Sequence, residues 1–413
     1  MAAFFRTISF LILLQLLLLV EVQAGDWPQI LGPQRNGVAE EKLPAKFPAA
    51  GPKLLWSVKI GQGYAGPIVQ GERVIVFHRT EDQERIECLS TLNGKRIWHT
   101  DFPAKYAGGI DPDLGPRGVP LIAGKRVFVY GAAGNCHCVE LATGKEIWSR
   151  PLAQEYAAPD GYFGAGSTPI VIGDCLLVNV GGKQGGIVGV DTATGKTNFA
   201  ITKEQASYSS PTAYTQGKTN YALFVTRLNV VRVDPLMGEA KVLFPFGRTG
   251  PTVNAAVPLV LGDHLFVTSS YGVGGLFASL EKPQVPLWTN DDSLSSQYST
   301  PVVRGEYLYG IHGREDIPPA HLRCLELRTG KVLWSRDDFG VAHPILAGDK
   351  LLLLTVAGEL ILASAAPDAY HELSRARVSA GITRALPALS NGQFYFRTNI
   401  DGAGELKCVS VGE

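Results

Sequence analysis

Residues 120–148 read PLIAGKRVFVYGAAGNCHCVELATGKEIW. A proline opens this stretch, and Gly124 follows at a tight turn. Val127-Phe128-Val129-Tyr130 alternates as a strand. A second strand leads into Thr143-Gly144-Lys145, and the unit closes on Trp148. Two short turns joining apolar strands describe a small antiparallel sheet, with Gly free to take positive φ at each turn. The same unit recurs along the chain. Its prolines are Pro67, Pro120, Pro169, Pro211, Pro258, Pro301, Pro344 and Pro387, spaced by 42 to 53 residues. Gly71, Gly124, Gly173, Gly262, Gly305 and Gly348 each follow their proline by four positions, while Gly217 and Gly392 are shifted by two and one. The closing landmark reads LNGKRIW at 92–98, ATGKTNF at 193–199 and RTGKVLW at 328–334.

Four-stranded units of about 45 residues are propeller blades, each burying its apolar face against its neighbours. The recurrent Trp suits the gap between adjacent blades. The last unit, from Pro387, shows three strands and no Trp strand. Lys53-Leu54-Leu55-Trp56-Ser57-Val58 matches Lys331-Val332-Leu333-Trp334-Ser335-Arg336 and supplies the missing strand from the other end. The reading is all-β: an eight-bladed propeller over 53–413, its ring closed by an N-terminal strand that removes two sheet edges. Residues 25–52, rich in Pro, read as an extended arm on the domain surface with Trp27 as an anchor. Residues 1–24 carry Arg6, an apolar run from Ile8 to Val20 and Val22-Gln23-Ala24. They read as a signal peptide cut after Ala24, too short in its apolar run to span a bilayer.

Composition excludes two classes. Lys+Arg and Asp+Glu are both 38, so no cation excess exists to displace nucleic-acid counterions. With 45% hydrophobic and 18% charged residues the chain is not an acidic disordered protein.

The proline–glycine and TGKxxW landmarks resemble the repeat of pyrroloquinoline-quinone-like (quinoprotein alcohol dehydrogenase-like) propellers. Trp27-Pro28 with Gly32-Pro33-x-Arg35-x-Gly37 resembles the opening of exported repeat proteins of this group common in Planctomycetes. The resemblance covers nearly all of the mature chain. It implies the fold, and either a quinone-dependent dehydrogenase or a non-enzymatic envelope scaffold. The dehydrogenases of the group carry an adjacent Cys-Cys pair against the quinone, and carboxylates with an Asn around Ca²⁺. This chain has no Cys-Cys dipeptide and no haem-attaching C-x-x-C-H.

Variable length gathers in two connection classes that leave an up-and-down blade on the same face. Between blades these are 99–118, 149–167 and 289–300; within blades they are 78–85, 181–186 and 312–321. That rim is expected to bind. Three residues before each repeat Pro stand Tyr64, Arg117, Gly166, Tyr208, Ala255, Tyr298, Val341 and Arg384, a ring expected at the channel mouth. Tyr64, Arg117, Tyr208, Tyr298 and Arg384 suit a peptide, sugar or anionic partner through stacking and charge-assisted hydrogen bonds. His343, one residue before its Pro, is expected to face the channel.

Other motifs have blander readings. Cys88, Cys138, Cys324 and Cys408 occupy one repeat position on different blades, too far apart to bridge. In Cys136-His137-Cys138 the His faces away from both thiols on a strand. Thr194-Gly195-Lys196-Thr197 lacks the earlier Gly of a phosphate loop. Asp111, Asp113, Asp291, Asp292, Glu315 and Asp316 are loop carboxylates with a Ca²⁺ alternative. The resulting expectation is an exported, periplasmic or secreted monomer that binds an envelope protein or glycan without catalysis and without a cofactor. It binds no nucleic acid and has no transmembrane span. A quinone-dependent oxidoreductase of alcohols or sugars, with pyrroloquinoline quinone and calcium, is the alternative.

Overall fold

A computed structural model describes residues 25–412 apart from positions 251 and 401. The expected signal peptide, 1–24, lies outside the described residues. Eight antiparallel sheets succeed one another: 68–103, 121–150, 170–201, 212–245, 259–290, 302–336, 342–377 and 388–410. They are blades 1 to 8 below, numbered in chain order. Lys53–Ile60 is the outermost strand of blade 8, antiparallel to Ala403–Ser410, with Leu54 opposite Val409 and Trp56 opposite Cys408. The only helix among the described residues is Leu152–Glu155.

The repeat landmarks each have a mechanical role. All eight glycines of the inner hairpins, including the shifted Gly217 and Gly392, have φ between +55° and +69°. In the outermost strands of most blades a bulge precedes the Trp position, as between Glu146 and Trp148. A bulge kinks the strand and re-aims the side chain. Each indole then crosses to the next blade and donates to a backbone carbonyl there. Trp56 bonds Thr91 O at 2.8 Å, Trp98 bonds Leu141 O at 3.0 Å, and Trp148 bonds Thr192 O at 3.0 Å. Trp288 bonds Leu327 O at 2.8 Å and Trp334 bonds Ala366 O at 3.0 Å. The turn glycine of the receiving blade lies under the ring; a Cβ on Gly144 would come within 2.3 Å of Trp98. The Trp56 latch joins blade 8 to blade 1 and completes the ring.

A second belt runs near the axis. The hydroxyl preceding a repeat Pro accepts from the blade before: Val119 N to Thr168 Oγ1 at 2.8 Å, Thr168 N to Ser210 Oγ at 2.9 Å, Val257 N to Thr300 Oγ1 at 2.9 Å. Pro itself opens the innermost strand, where no ladder donor is needed. The cysteines fit the repeat reading. Cys88, Cys138, Cys324 and Cys408 stand opposite Trp98, Trp148, Trp334 and Trp56 in the strand register. All six are buried thiols. Burial pushes those four up to about 12, so they are inert.

Two expectations are corrected. The first part of the arm, 25–39, does not lie on the surface, whereas 40–52 does, with only Leu43 and Phe47 buried. Trp27 is buried and bridges Val69 of blade 1, Pro28 O accepts from Ile122 of blade 2, and Val38–Ala39 runs parallel to Leu346 and Ala347 of blade 7. Arg35, fully buried, donates to Pro211 O at 2.7 Å and to Pro169 O, in blades 4 and 3. A segment that meets the innermost strands of so many blades sits on the axis. It enters from the short-turn face and plugs the channel, and the Arg35 side chain reaches on to carbonyls at the starts of two innermost strands, which it satisfies. The loops expected at 78–85 and 181–186 are instead strands: Arg73–Thr80 meets Gln83–Ser90, and Cys175–Gly182 meets Gly185–Asp191, each across a two-residue turn. Their polar residues pair across the sheet, as His78 Nε2 with Glu87 Oε2 at 3.0 Å and Arg85 with Asp101 at 2.6 Å.

Candidate functional site

With the short-turn end plugged, the long-loop rim surrounds a blind mouth. Five of the six expected site residues converge on one side of it. The Tyr64 ring lies between two guanidiniums, Arg384 at 5.0 Å and Arg117 at 5.5 Å from its centroid. Arg384 reaches two long loops at once. It donates to Asp111 Oδ2 at 3.2 Å in the loop before blade 2, and to Glu315 at 2.7 and 2.9 Å in the loop 313–320 of blade 6. Tyr298 donates to Glu315 Oε2 at 2.5 Å. Arg117 donates to Asp113 O at 2.6 Å, and Asp113 Oδ2 accepts from Gly63 N at 2.9 Å.

The electrostatics of this cluster are internally settled. Burial works against the Arg384 charge, and the Glu315 hydrogen bond and charge outweigh it, so its pKa rises above the ordinary arginine value. Burial and the Glu315 carboxylate together hold the Tyr298 phenol well above its usual range. His343 is buried in the channel wall; its Nε2 meets Arg384 O at 2.8 Å and its Nδ1 has no partner. Burial lowers it to about 4, so it is neutral at neutral pH. Of the carboxylates read as a Ca²⁺ alternative, Asp111, Asp113 and Glu315 serve here as arginine partners, and Asp316 pairs with Arg314.

Tyr208 stands apart. Its hydroxyl accepts from Phe163 N at 2.9 Å, and burial pushes its phenol up to about 12. It lines a cavity of about 430 Å³ on the rim of blades 2 to 5, with Asn179, Tyr162 and Asn254. Sequence reasoning named Tyr208 from its repeat position and missed Asn179. The signal was partial: an Asn at a strand position where four of the other seven blades carry apolar side chains.

Other motifs fall to structural roles. His137 stacks on Phe102 at 3.8 Å and meets Ser149 Oγ at 2.8 Å, facing away from Cys136 and Cys138. Thr194 is tied to Asp191 within the turn beneath Trp148. Among the described residues no group of three or more His, Cys, Asp and Glu side chains could hold a metal ion. At the arginine cluster a quinone would find no adjacent cysteine pair, and Arg117 and Arg384 already have carboxylate partners, so this donor set does not fit a quinone with its metal. Among the described residues no helix is long and apolar enough to cross a membrane.

Fold and mouth together define a pyrroloquinoline-quinone-like repeat propeller. A family model described as "Outer membrane protein assembly factor BamB" matches residues 45–216 and 82–336, and the chain belongs to that family. It is 21% identical over 306 residues to the outer membrane protein assembly factor BamB of Moranella endobia, covering 69% of this chain and 62% of that protein. A 1-butanol dehydrogenase (cytochrome c) of Thauera butanivorans is 30% identical over 145 residues, 34% of this chain and 20% of that protein. The chain thus spans less than two thirds of the length of either relative. Two solved structures share the fold. BamB of Moraxella catarrhalis has a TM-score of 0.63 at 14% identity, over 87% of this chain and 97% of that one. Quinohemoprotein alcohol dehydrogenase of Comamonas testosteroni has a TM-score of 0.66 at 14% identity, over 94% and 81%.

Proposed function

We propose that this protein is an exported, monomeric, non-catalytic scaffold of the cell envelope that docks a protein partner on its long-loop rim. The observation that carries this reading is a group of exposed aliphatic residues around the mouth; the others, such as Leu92, Leu236 and Val285, sit on the opposite short turns or the outer strands. Ile110 is 68% exposed and Ile317 60%, and Leu228, Ile382 and Ile400 are also exposed, all on connections of that rim. They encircle a mouth whose charges are already neutralised from within. Apolar anchors around a polar centre suit a protein surface, each buried anchor contributing up to about 1.5–3 kcal/mol. The family's assembly-factor description supports a protein partner, and the 1–24 segment supports export. The mismatch of the donor set supports a protein without quinone or metal.

The test is capture from an envelope extract. A variant carrying Ile110→Asp, Ile317→Asp and Ile382→Asp should lose the captured partner while its melting temperature stays within about 2 °C. Undiminished capture rejects the rim. Dye reduction with an alcohol or glucose, after reconstitution with pyrroloquinoline quinone and Ca²⁺, would instead establish the oxidoreductase reading.

A further inference from the structure

The cavity beside Tyr208 has features that docking does not explain. Asn179 lines it and is 2% exposed, yet neither its Oδ1 nor its Nδ2 has a hydrogen-bond partner in the protein. The Tyr130 hydroxyl, also in the lining, is likewise without a partner. A buried carboxamide with both functions unmet is costly, and folds rarely retain one without a purpose. The strand register sharpens the point. Asn179 lies two residues beyond Leu177, which faces Ile170 at the start of the innermost strand. The matching residues in blades 1, 4, 6 and 7 are Phe77, Val225, Ile311 and Leu354, all buried and apolar; of the other three, Thr268 and Arg397 find partners within the protein and Tyr130 shares this cavity. An apolar side chain therefore fits this position, and blade 3 forgoes it.

The surroundings narrow the ligand. The mouth position of blade 3 is Gly166, where a Cβ would come within 2.6 Å of Tyr208, so the space survives only with glycine there. Arg227, a cation of the lining, already donates to Thr252 Oγ1 at 2.9 Å and to Gly250 O. The Asp160 carboxylate is the other charge of the lining, so the cavity has no net positive charge to favour a phosphate or a tricarboxylate. Tyr162, 40% exposed, offers a ring face at the edge. A planar amide with donor and acceptor side by side matches two vicinal hydroxyls, and a tyrosine face matches the C–H face of a pyranose.

We propose that this cavity binds a neutral, hydroxyl-rich ligand, a short oligosaccharide, anchored on Asn179 and stacked on Tyr162. The cavity shares Leu228 with the docking rim, but none of the three Asp substitutions above falls in its lining, so the two readings can fail separately.

The experiment is calorimetric titration of the purified full chain with maltotetraose, cellotetraose and chitotetraose, up to about 10 mM, with pyrroloquinoline quinone as the charged control. Saturable binding of at least one neutral sugar is expected. Asn179→Leu should weaken it about tenfold or more while melting at or above the parent temperature; Asn179→Val, copying blade 4, serves if the Leu variant does not fold. Tyr162→Ala should weaken it about threefold or more with an unchanged melt. The proposal is overturned by silence from all three sugars, by binding of the quinone alone, or by an apolar variant that binds like the parent. It is equally overturned if the apolar variants melt lower, since the amide would then be satisfied within the fold. Loss of envelope capture in the Asn179 variants without any sugar response would assign the cavity to the protein partner.

Discussion

The two sides of the mouth hold polar residues of similar kinds and treat them oppositely. On the Arg384 side, spanning blades 6, 8, 1 and 2, every charge is answered. Asp111 and Glu315 bracket one guanidinium, Tyr298 donates to Glu315, and Arg117 ties back to its own loop. On the blade 2–5 side a cavity of about 430 Å³ is lined by a buried amide and a phenol with no partner. The charged side is a lock holding long loops together, with one His343 ring nitrogen left open; the nearly uncharged side holds a carboxamide unmet at both ends beside a cavity. Conspicuous arginines therefore marked structure, while one inconspicuous asparagine marked the candidate site.

The comparison can be broken from below, because both sides rest on the plug. Arg35→Met should cost about 4 kcal/mol by denaturant midpoint, since it strands buried carbonyls of two blades. A near-neutral result would mean the plug is dispensable and the mouth not blind.

Glu84 lies at the seam between the sides, its Oε1 accepting from Ala132 N at 2.8 Å beside the cavity. Burial raises its pKa from 4.5 to about 7, against the opposing pull of the Ala132 hydrogen bond, Arg79 and Arg117. The folded state then holds more protons than the unfolded one across that window, so stability should fall as pH rises through it. Glu84→Gln should flatten this slope and gain about 2 kcal/mol at pH 8, read as melting temperature against pH. Parallel slopes for variant and parent would show that Glu84 is solvated.

Arg384→Met tests the lock. Two carboxylates lose their shared cation, and with the side chain 29% exposed, water offsets part of the loss. About 1–2 kcal/mol of destabilisation is expected, together with faster proteolysis within 104–120 and 313–320. The smallest contrast is a pair. Tyr208→Phe removes the acceptor of Phe163 N and should cost about 1 kcal/mol. Tyr64→Phe removes a hydroxyl 3.4–3.5 Å from Asp111 that also accepts from Arg384 Nη1 at 3.2 Å; that guanidinium keeps both carboxylates, so the cost should be smaller, about 0.5 kcal/mol. Equal costs would erase the distinction between strong and marginal contacts.

The polar stretches 78–85 and 181–186 have the composition of loops and the structure of hairpin ends. His78, Arg85 and Glu87 look like solvated loop residues in a linear text. Cross-strand partners make them a ladder above the core. The opening Trp27-Pro28…Arg35-x-Gly37 was legible as a signature, but its task was not, since the carbonyls that Arg35 serves lie 134 and 176 residues away. Asn179 was legible only through register, once its strand could be set beside the seven others.

The amino-acid sequence by itself determined the blade, the count of eight and the closure by Lys53–Ile60, because periodic glycine, proline and tryptophan act through local turn geometry and nearest-neighbour packing. Only the tertiary structure decided that Arg384 is neutralised, that the first part of the arm is a plug and that the Asn179 amide is unmet. Each of those depends on groups brought together from distant parts of the chain, as with Arg384 and Asp111, 273 residues apart. Coulomb and hydrogen-bond energies follow distance in space, which the order of residues along the chain does not record.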